Sequence, residues 1–204
     1  MARPGKIVCV GRNYREHARE LGHEVPTSPL LFFKPTSAVI ASGEPIVLPT
    51  GVGRVDFEGE IGVVIGRALQ RASPAECAAA VRGIVAVNDV SARDLQKSEP
   101  QWARAKGTDT FCPLGAERTG TPDLGALTVV SRLNGEECQR ATSSEMIFPI
   151  GELLAYITAS ITLDPGDVVS TGTPAGVRAL APGDVVEVEV EGWSIVRNPV
   201  VAAS

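Results

Sequence analysis

The stretch Asp56-Phe57-Glu58-Gly59-Glu60, opening directly into Ile61-Gly62-Val63-Val64-Ile65, is the strongest constraint on how this chain folds. In an extended strand successive side chains alternate between faces, so Glu58 and Glu60 point the same way. The apolar run that follows does not alternate, which is the pattern of a strand buried on both faces. Two carboxylates therefore stand side by side at the mouth of a buried strand. At a separation of about 4 Å and an effective dielectric near 20 they repel by roughly 4 kcal/mol. A shared proton or a cation relieves that repulsion, and the pair reads as a metal site.

A third acid, Asp89, ends the apolar run Ile84-Val85-Ala86-Val87. Three carboxylates with no His or Cys nearby describe an all-oxygen site for Mg²⁺, Mn²⁺ or Ca²⁺ rather than Zn²⁺. Ordinary strand-end acids in turns give the same spacing, so spacing alone leaves both readings open. Asp56 shares the parity of Glu58 and Glu60 and stays a candidate ligand. The row Glu187, Glu189, Glu191, alternating with Val186, Val188 and Val190, is a contrasting case. It reads as the charged outer face of a half-buried strand near a sheet edge.

The chain has 204 residues, 44% of them apolar and 21% charged, as expected of one substantial globular core, and we take 1–204 as one domain. A net charge of −5 with no long single-sign run excludes the electrostatic footprint of a nucleic-acid or anionic-membrane binder. Cys9, Cys77, Cys112 and Cys138 form no C-x-x-C clip, and only Ile7 to Val10 follow Arg3 and Lys6, too few for a signal h-region. Reduced thiols in a cytoplasmic protein are the expectation. The longest mostly apolar stretch, 153–163, is too short to span a bilayer.

In chain order, Ile7 to Val10 reads as a strand, and Tyr14 to Leu21 as a short helix stopped by Gly22. On that helix His17 and Glu20 are i, i+3 neighbours, a spacing at which a carboxylate can orient an imidazole acting as a base. The neighbouring Arg12, Arg15, Glu16 and Arg19 make a solvated, salt-bridged helix the plainer alternative. His23 has no partner pattern and reads as surface. Leu30 to Phe33 forms a strand, and Ile46 to Leu48, between two prolines, at best an edge strand. Ser73-Pro74-Ala75-Glu76 is a helix start, and that helix is expected to run to Gly83.

Lys106, in a small-and-aromatic context, is a candidate anion or enolate binder, with a snorkelling surface lysine as the alternative. Leu127 to Leu133, Asn134-Gly135 and Glu136 to Arg140 give a hairpin, and the apolar spacing from Ile150 predicts a helix over 151–159. Two Pro-Gly turns, at Pro165-Gly166 and Pro182-Gly183, each feed a strand. Between them lies Ser170-Thr171-Gly172-Thr173-Pro174-Ala175-Gly176-Val177. Glycines in that loop would let backbone amides approach an anion. Dinucleotide, Walker and nucleophile-elbow motifs are absent.

Together these segments resemble the fumarylacetoacetate hydrolase family along nearly the whole chain. The resemblance is carried by Gly11-Arg12-Asn13-Tyr14 with His17 and Glu20, by Glu58-Gly59-Glu60, and by Asn88-Asp89-Val90-Ser91-Ala92-Arg93-Asp94-Leu95-Gln96. It continues through Lys106, Asp109-Thr110-Phe111 and Thr171-Gly172-Thr173-Pro174. The length is similar to the single-domain acylpyruvase and oxaloacetate decarboxylase branch. The implied fold is α+β, mostly β: a mixed, barrel-like β-roll with short flanking helices, found as a homodimer.

The resemblance also implies that Glu58, Glu60 and Asp89 bind Mg²⁺ or Mn²⁺, and that His17 and Glu20 form a dyad on a segment closing over the substrate. Lys106 is implied to hold the pyruvoyl group, with Arg93, Gln96 and Thr173 as substrate contacts. Thr108, and Ala116-Glu117 after Gly115, depart from the family pattern and bear on substrate size and lid packing. The implied activity is cleavage of a C–C bond in a small 2-oxo or 2,4-dioxo acid through a pyruvate enolate. A tautomerase or isomerase using the same site is the nearest alternative, and a non-catalytic metal-binding scaffold the next.

Overall fold

The computed structural model describes residues 3–20, 22 and 24–203 of the chain. His23, read from sequence as surface, lies outside the described residues, as does Leu21. The N-terminal part runs β1 (Ile7–Gly11), α1 (Arg15–Glu20), β2 (Leu30–Lys34), β3 (Val39–Ile40), β4 (Ile46–Leu48), β5 (Val55–Asp56) and β6 (Gly59–Ile65). Then come α2 (Pro74–Ala78), β7 (Val81–Asn88), β8 (Ser91–Ala92), α3 (Arg93–Ser98), α4 (Ala103–Gly107), β9 (Cys112–Pro113) and β10 (Arg118–Thr119). The chain ends with β11 (Thr128–Leu133), β12 (Glu136–Thr142), α5 (Ile150–Thr158), β13 (Val168–Ser170), β14 (Val185–Val190) and β15 (Ser194–Ala202).

The strands build two sheets, one ordered β10-β7-β6-β13-β1-β2 and the other β12-β11-β14-β15-β4, with β3–β9 and β5–β8 as short ladders. Most pairs are antiparallel, but β1–β13 and β15–β4 are parallel, so both large sheets are mixed. Both sheets are open, not closed into a barrel. The expected mostly-β, α+β architecture with short helices is what the chain adopts. No helix among the described residues is long and apolar enough to cross a membrane.

The core forms where the two sheets face each other. Ile61, Val63 and Ile65 of β6 join Ile84 and Ala86 of β7 in one buried cluster with Val129, Val188, Val190 and Val196 of the second sheet. Leu153, Leu154 and Ile157 of α5 close the same cluster. The opposite face of β6 is buried too, with Val64 in a second cluster beside Val85 and Val87, so the unalternating sequence fits a doubly covered strand.

Local signals predict most elements. Ser73 caps α2 with a full capping box to Glu76, and Asn134 and Gly135 turn the β11–β12 hairpin with φ of 54° and 85°. β4 is an edge strand, as two flanking prolines require. Two expectations are corrected. α2 stops at Ala78, well before Gly83, which instead lies inside β7 and pairs with Val64. Pairing with β6 wins over continued helix there. β14 is not near an edge; it sits between β11 and β15. Its acidic row is tolerated because Arg132 of the neighbouring strand reaches Glu187 at 2.8 Å and Glu189 at 2.9 Å.

β6 and β7 pack so closely that Gly62 has no room for a side chain. A Cβ there would stand 2.5 Å from Val87 Cγ2 and 2.6 Å from Val85 Cγ2. Gly62→Ala is therefore expected to destabilise the fold by about 1–3 kcal/mol through overpacking. Urea unfolding measures this, and a midpoint unchanged from wild type would contradict the packing described.

Candidate metal and catalytic centre

The antiparallel register of β6 and β7 sets Gly59 against Asn88, so Glu58 and Asp89 lie opposite each other just beyond the ladder. Asp89 N–H donates to Glu58 O at 2.8 Å, and Glu58 N–H donates to Asn88 Oδ1 at 3.1 Å. β13 runs antiparallel to β6, and β1 parallel to β13, so the ends of four strands gather at one place. Ligand oxygens of Glu58, Glu60 and Asp89 all lie within 4.8 Å of one another, and all three residues are buried. Asp56, the open candidate from spacing, is not in this group. Its carboxylate is spent on Arg54 Nε at 2.6 Å and Arg93 Nε at 2.8 Å.

Each acid of the trio is held differently. Glu60 Oε2 accepts from Ser170 Oγ at 2.5 Å and from Gly172 N–H at 2.9 Å. The glycine-rich loop thus brings an amide to an anion, and that anion is the chain's own glutamate. Gly172 has φ +101°, and a Cβ there would fall 2.7 Å from Asn13 Cβ, so only glycine fits. Glu58 Oε1 lies 2.6 Å from Arg93 Nη2, and the Lys106 ammonium sits 2.6 Å from both Glu58 Oε2 and Asp89 Oδ2. The Lys106 ammonium also rests 4.9 Å from the centroid of Phe32, so lysine here is a buried cation and not a surface one.

The nine residues to which the family resemblance assigns roles line one open cavity of about 600 Å³: His17, Glu20, Glu58, Glu60, Asp89, Arg93, Gln96, Lys106 and Thr173. His17 on α1 is buried, with Nδ1 3.2 Å from Glu20 Oε2 and Nε2 3.9 Å from Glu58 Oε1. Glu20 Oε1 is fixed in turn by Gly176 N–H at 3.0 Å. The plain reading of α1 as a wholly solvated helix therefore fails at this face.

Three of the expected substrate contacts are already engaged. Arg93 binds Asp56, Glu58 and, through Nη1, Gln96 Oε1 at 2.9 Å, and Gln96 itself lines the cavity. The Thr173 hydroxyl donates to Gly59 O at 2.9 Å and accepts from Gln139 Nε2 at 2.8 Å, holding β6 in place.

Residues that sequence reasoning missed also line the cavity: Arg12, Lys97 and Trp102. Arg12 carries a left-handed φ of 59°, uncommon for a residue with a side chain. Lys34, deep behind Asp89, was missed as well. Its signal in sequence is a lone charge ending the apolar strand Leu30–Phe33.

The cations are unevenly shared. Asp56 is held by Arg54 and Arg93, Glu58 by Arg93 and Lys106, and Asp89 by Lys34 and Lys106, while no cation pairs with buried Glu60 among the described residues. Burial alone raises the Glu58 carboxyl, but Arg93, Lys106 and His17 outweigh it and hold Glu58 well below the usual carboxylate range. Glu60 goes the other way. Burial and then the charges of Asp89 and Glu58 push it up to about 8, against the Ser170 hydrogen bond. Asp89 Oδ1, buried, has the Lys34 ammonium 2.7 Å away. An all-oxygen trio, one member of which has no cation paired with it among the described residues, fits a hard divalent cation.

With the geometry in hand, comparison places the chain. Residues 6–201 match the family model described as fumarylacetoacetate (FAA) hydrolase C-terminal, and the chain belongs to that family of enzymes. "Uncharacterized protein MJ1656" of Methanocaldococcus jannaschii is 46% identical over 96% of this chain and 83% of its own length. "Oxaloacetate tautomerase FAHD2A, mitochondrial" of Bos taurus is 38% identical over 98% of this chain and 68% of its own length. Among solved structures, 5-carboxymethyl-2-hydroxymuconate delta-isomerase from Mycobacterium smegmatis superposes with a TM-score of 0.92 at 42% identity. The match covers 99% of this chain and 80% of that one.

With its carboxyl pushed up to about 8, Glu60 is mostly protonated at pH 7, and a cation must displace that proton. The sign follows: affinity rises as pH rises toward 8 and levels above it. Mg²⁺ uptake at pH 7 is expected to release roughly one proton. Calorimetry in buffers of different ionisation enthalpy reads this directly, and heats independent of the buffer would refute it.

Proposed function

We propose that the protein is a divalent-cation-dependent enzyme that shifts a proton in a small 2-oxo acid of the oxaloacetate type, interconverting keto and enol forms. The arrangement supporting this is the base beside the acidic trio: His17 with Nδ1 held by Glu20 at 3.2 Å and Nε2 facing Glu58 Oε1 at 3.9 Å. The isomerase and tautomerase names of the similar proteins lend it weight. Glu58, Glu60 and Asp89 would hold the cation. Bound there, Mg²⁺ or Mn²⁺ supplies Lewis-acid stabilisation of negative charge on the 2-oxo oxygen.

The chain's own groups do the rest. Glu20 keeps the imidazole proton on Nδ1, so Nε2 presents a lone pair to the cavity. His17 Nε2 takes a proton from C3 of the substrate, and the same proton, or one from the medium, is delivered to the enolate oxygen. Lys106 offers an ammonium close to that oxygen, and its two carboxylate partners keep it charged. Gln96, which lines the cavity, would orient the carboxylate end through its amide. Trp102, edge-on to Phe32 with centroids 5.4 Å apart, walls the cavity on its apolar side.

A second reading, C–C cleavage, has its own support. The same His17–Glu20 pair can take a proton from water instead of carbon. The hydroxide then adds to the C4 carbonyl of an acylpyruvate, the C3–C4 bond breaks, and C3 is reprotonated to give pyruvate and a carboxylic acid. Loss of CO₂ from oxaloacetate reaches the same enolate without water. Product analysis separates the readings. NMR and mass spectrometry of oxaloacetate and acetylpyruvate, with and without EDTA, are expected to show EDTA-sensitive enol-to-keto conversion at unchanged mass. EDTA-sensitive pyruvate release instead would establish cleavage, and turnover indifferent to EDTA would remove the cation from both.

Single variants assign the roles. His17→Ala is expected to lower turnover by about 10²–10⁴ while Mn²⁺ affinity stays near wild type. Glu60→Ala is expected to weaken Mn²⁺ binding by at least about tenfold. Unchanged Mn²⁺ affinity in Glu60→Ala would take that residue out of the site, and lost affinity in His17→Ala would recast the histidine as a ligand.

A further inference from the structure

Lys34 is a fully buried charge that the proposed chemistry leaves without a task. It ends β2, its side chain has no solvent exposure, and its ammonium lies against the back of the acidic trio. Lysine is almost never fully buried unless it is paired, and a buried ion pair is weak ground for stability in itself. Its contacts suggest why it is there. Lys34 Nζ donates to Val90 O at 3.1 Å, Lys106 O at 2.5 Å and Phe111 O at 2.7 Å. An ammonium has three protons, and three carbonyls share them with the Asp89 carboxylate, whose Oδ1 lies 2.7 Å away.

Two consequences follow. The three carbonyls belong to separate stretches of chain: the turn that carries Asp89, helix α4 that carries Lys106, and the loop leading into β9. One ammonium ties them together, so the spacing between Asp89 and Lys106 is set at Lys34. Asp89 Oδ1 lies only 2.7 Å from Lys34 Nζ, an ion pair held wholly out of water. That contact fixes the carboxylate from behind and leaves a carboxylate oxygen further lone pairs for a cation. The other oxygen of Asp89 takes a proton from Lys106 at 2.6 Å.

We infer that Lys34 is a positioning residue of the metal site: it orients the Asp89 carboxylate and sets the distance from Asp89 to Lys106. It acts through Asp89 and touches neither cation nor substrate. The inference rests on reading Glu58, Glu60 and Asp89 as cation ligands.

Metal-stripped full-length protein, titrated with Mn²⁺ alone and followed by the electron spin resonance of free Mn²⁺, tests it without substrate. Lys34→Met keeps the apolar stem and removes the ammonium. Its Mn²⁺ affinity is expected to fall at least about tenfold while circular dichroism stays that of wild type. Lys34→Met/Asp89→Asn is expected to bind no more weakly than Asp89→Asn alone, because one residue works through the other. Affinity within twofold of wild type in folded Lys34→Met overturns the inference, and so do two losses that simply multiply.

If Lys34→Met does not fold, Lys34→Arg takes its place in the comparison. It keeps the charge, but its planar fork cannot serve the same three carbonyls. The tenfold loss in Lys34→Arg supports the inference, and wild-type affinity there overturns it. Wild-type protein that takes up no Mn²⁺ would sink the ligand assignment itself, whereas undiminished uptake by the variants sinks only the role of Lys34.

Discussion

A buried crowding of carboxyl groups is the constraint on which the rest of this structure depends. Four carboxylates and three cations are packed out of water where β1, β6, β7 and β13 end together. Desolvating such groups costs several kcal/mol apiece unless each finds partners, and the surrounding loops are shaped by that need. Arg93 is bent back across Asp56 and Glu58, Lys106 bridges Glu58 and Asp89, and Ser170 and Gly172 converge on Glu60. One carboxylate still lacks a countercharge. The opposite displacements of Glu58 and Glu60, neighbours on one strand face, follow from which cations each can reach.

The loop after β13 ties this charge problem to the base. Gly172 hands its amide to Glu60, and four residues on Gly176 hands its amide to Glu20, the partner of His17. A Cβ at Gly176 would lie 2.0 Å from Cys138 O, so the second contact is as dependent on glycine as the first. Asn13 closes the circuit from the other side. Its amide donates to Thr171 O at 2.8 Å, and its Oδ1 accepts from Phe148 N–H at 2.8 Å, just ahead of α1. The dyad and the acidic trio are therefore placed by one short stretch of backbone and cannot drift independently.

How much of this was legible beforehand depended on the range of the interaction. Alternation alone put Glu58 and Glu60 on one face, an unbroken apolar run marked β6 as doubly buried, and capping and turn residues marked α2 and the β11–β12 hairpin. These are signals within a few residues. Where the deciding partner lies far along the chain, local signals fail. α2 ends early because Gly83 is claimed by β6, and β14 takes a central place because Arg132 neutralises its acidic face. Asp56 has the parity of a ligand but is captured by Arg93. Lys34 meets its three carbonyls more than fifty residues away, which no periodicity can announce. Family resemblance supplied the roles of the site residues, and the geometry shows that Arg93 and Thr173 hold the scaffold as much as they face the cavity.

The same crowding narrows what the cavity can take. A divalent cation, arriving as Glu60 loses its proton, turns a balanced set of buried groups, three charged carboxylates against Lys34, Arg93 and Lys106, into one with a net single positive charge. An anion is then the complementary guest, and a 2-oxo acid brings its carboxylate together with a carbonyl oxygen able to share the same cation. Converting that guest into an enolate adds negative charge beside Lys106 and the trio, where the field now favours it. A neutral ketone would gain no such stabilisation on entry, and a nucleotide would meet no glycine-rich phosphate cradle in this chain. Proton shift and C–C cleavage both pass through that anion. What divides them is whether His17 Nε2 meets carbon or water, a matter of how completely the substrate fills the space between α1 and Glu58.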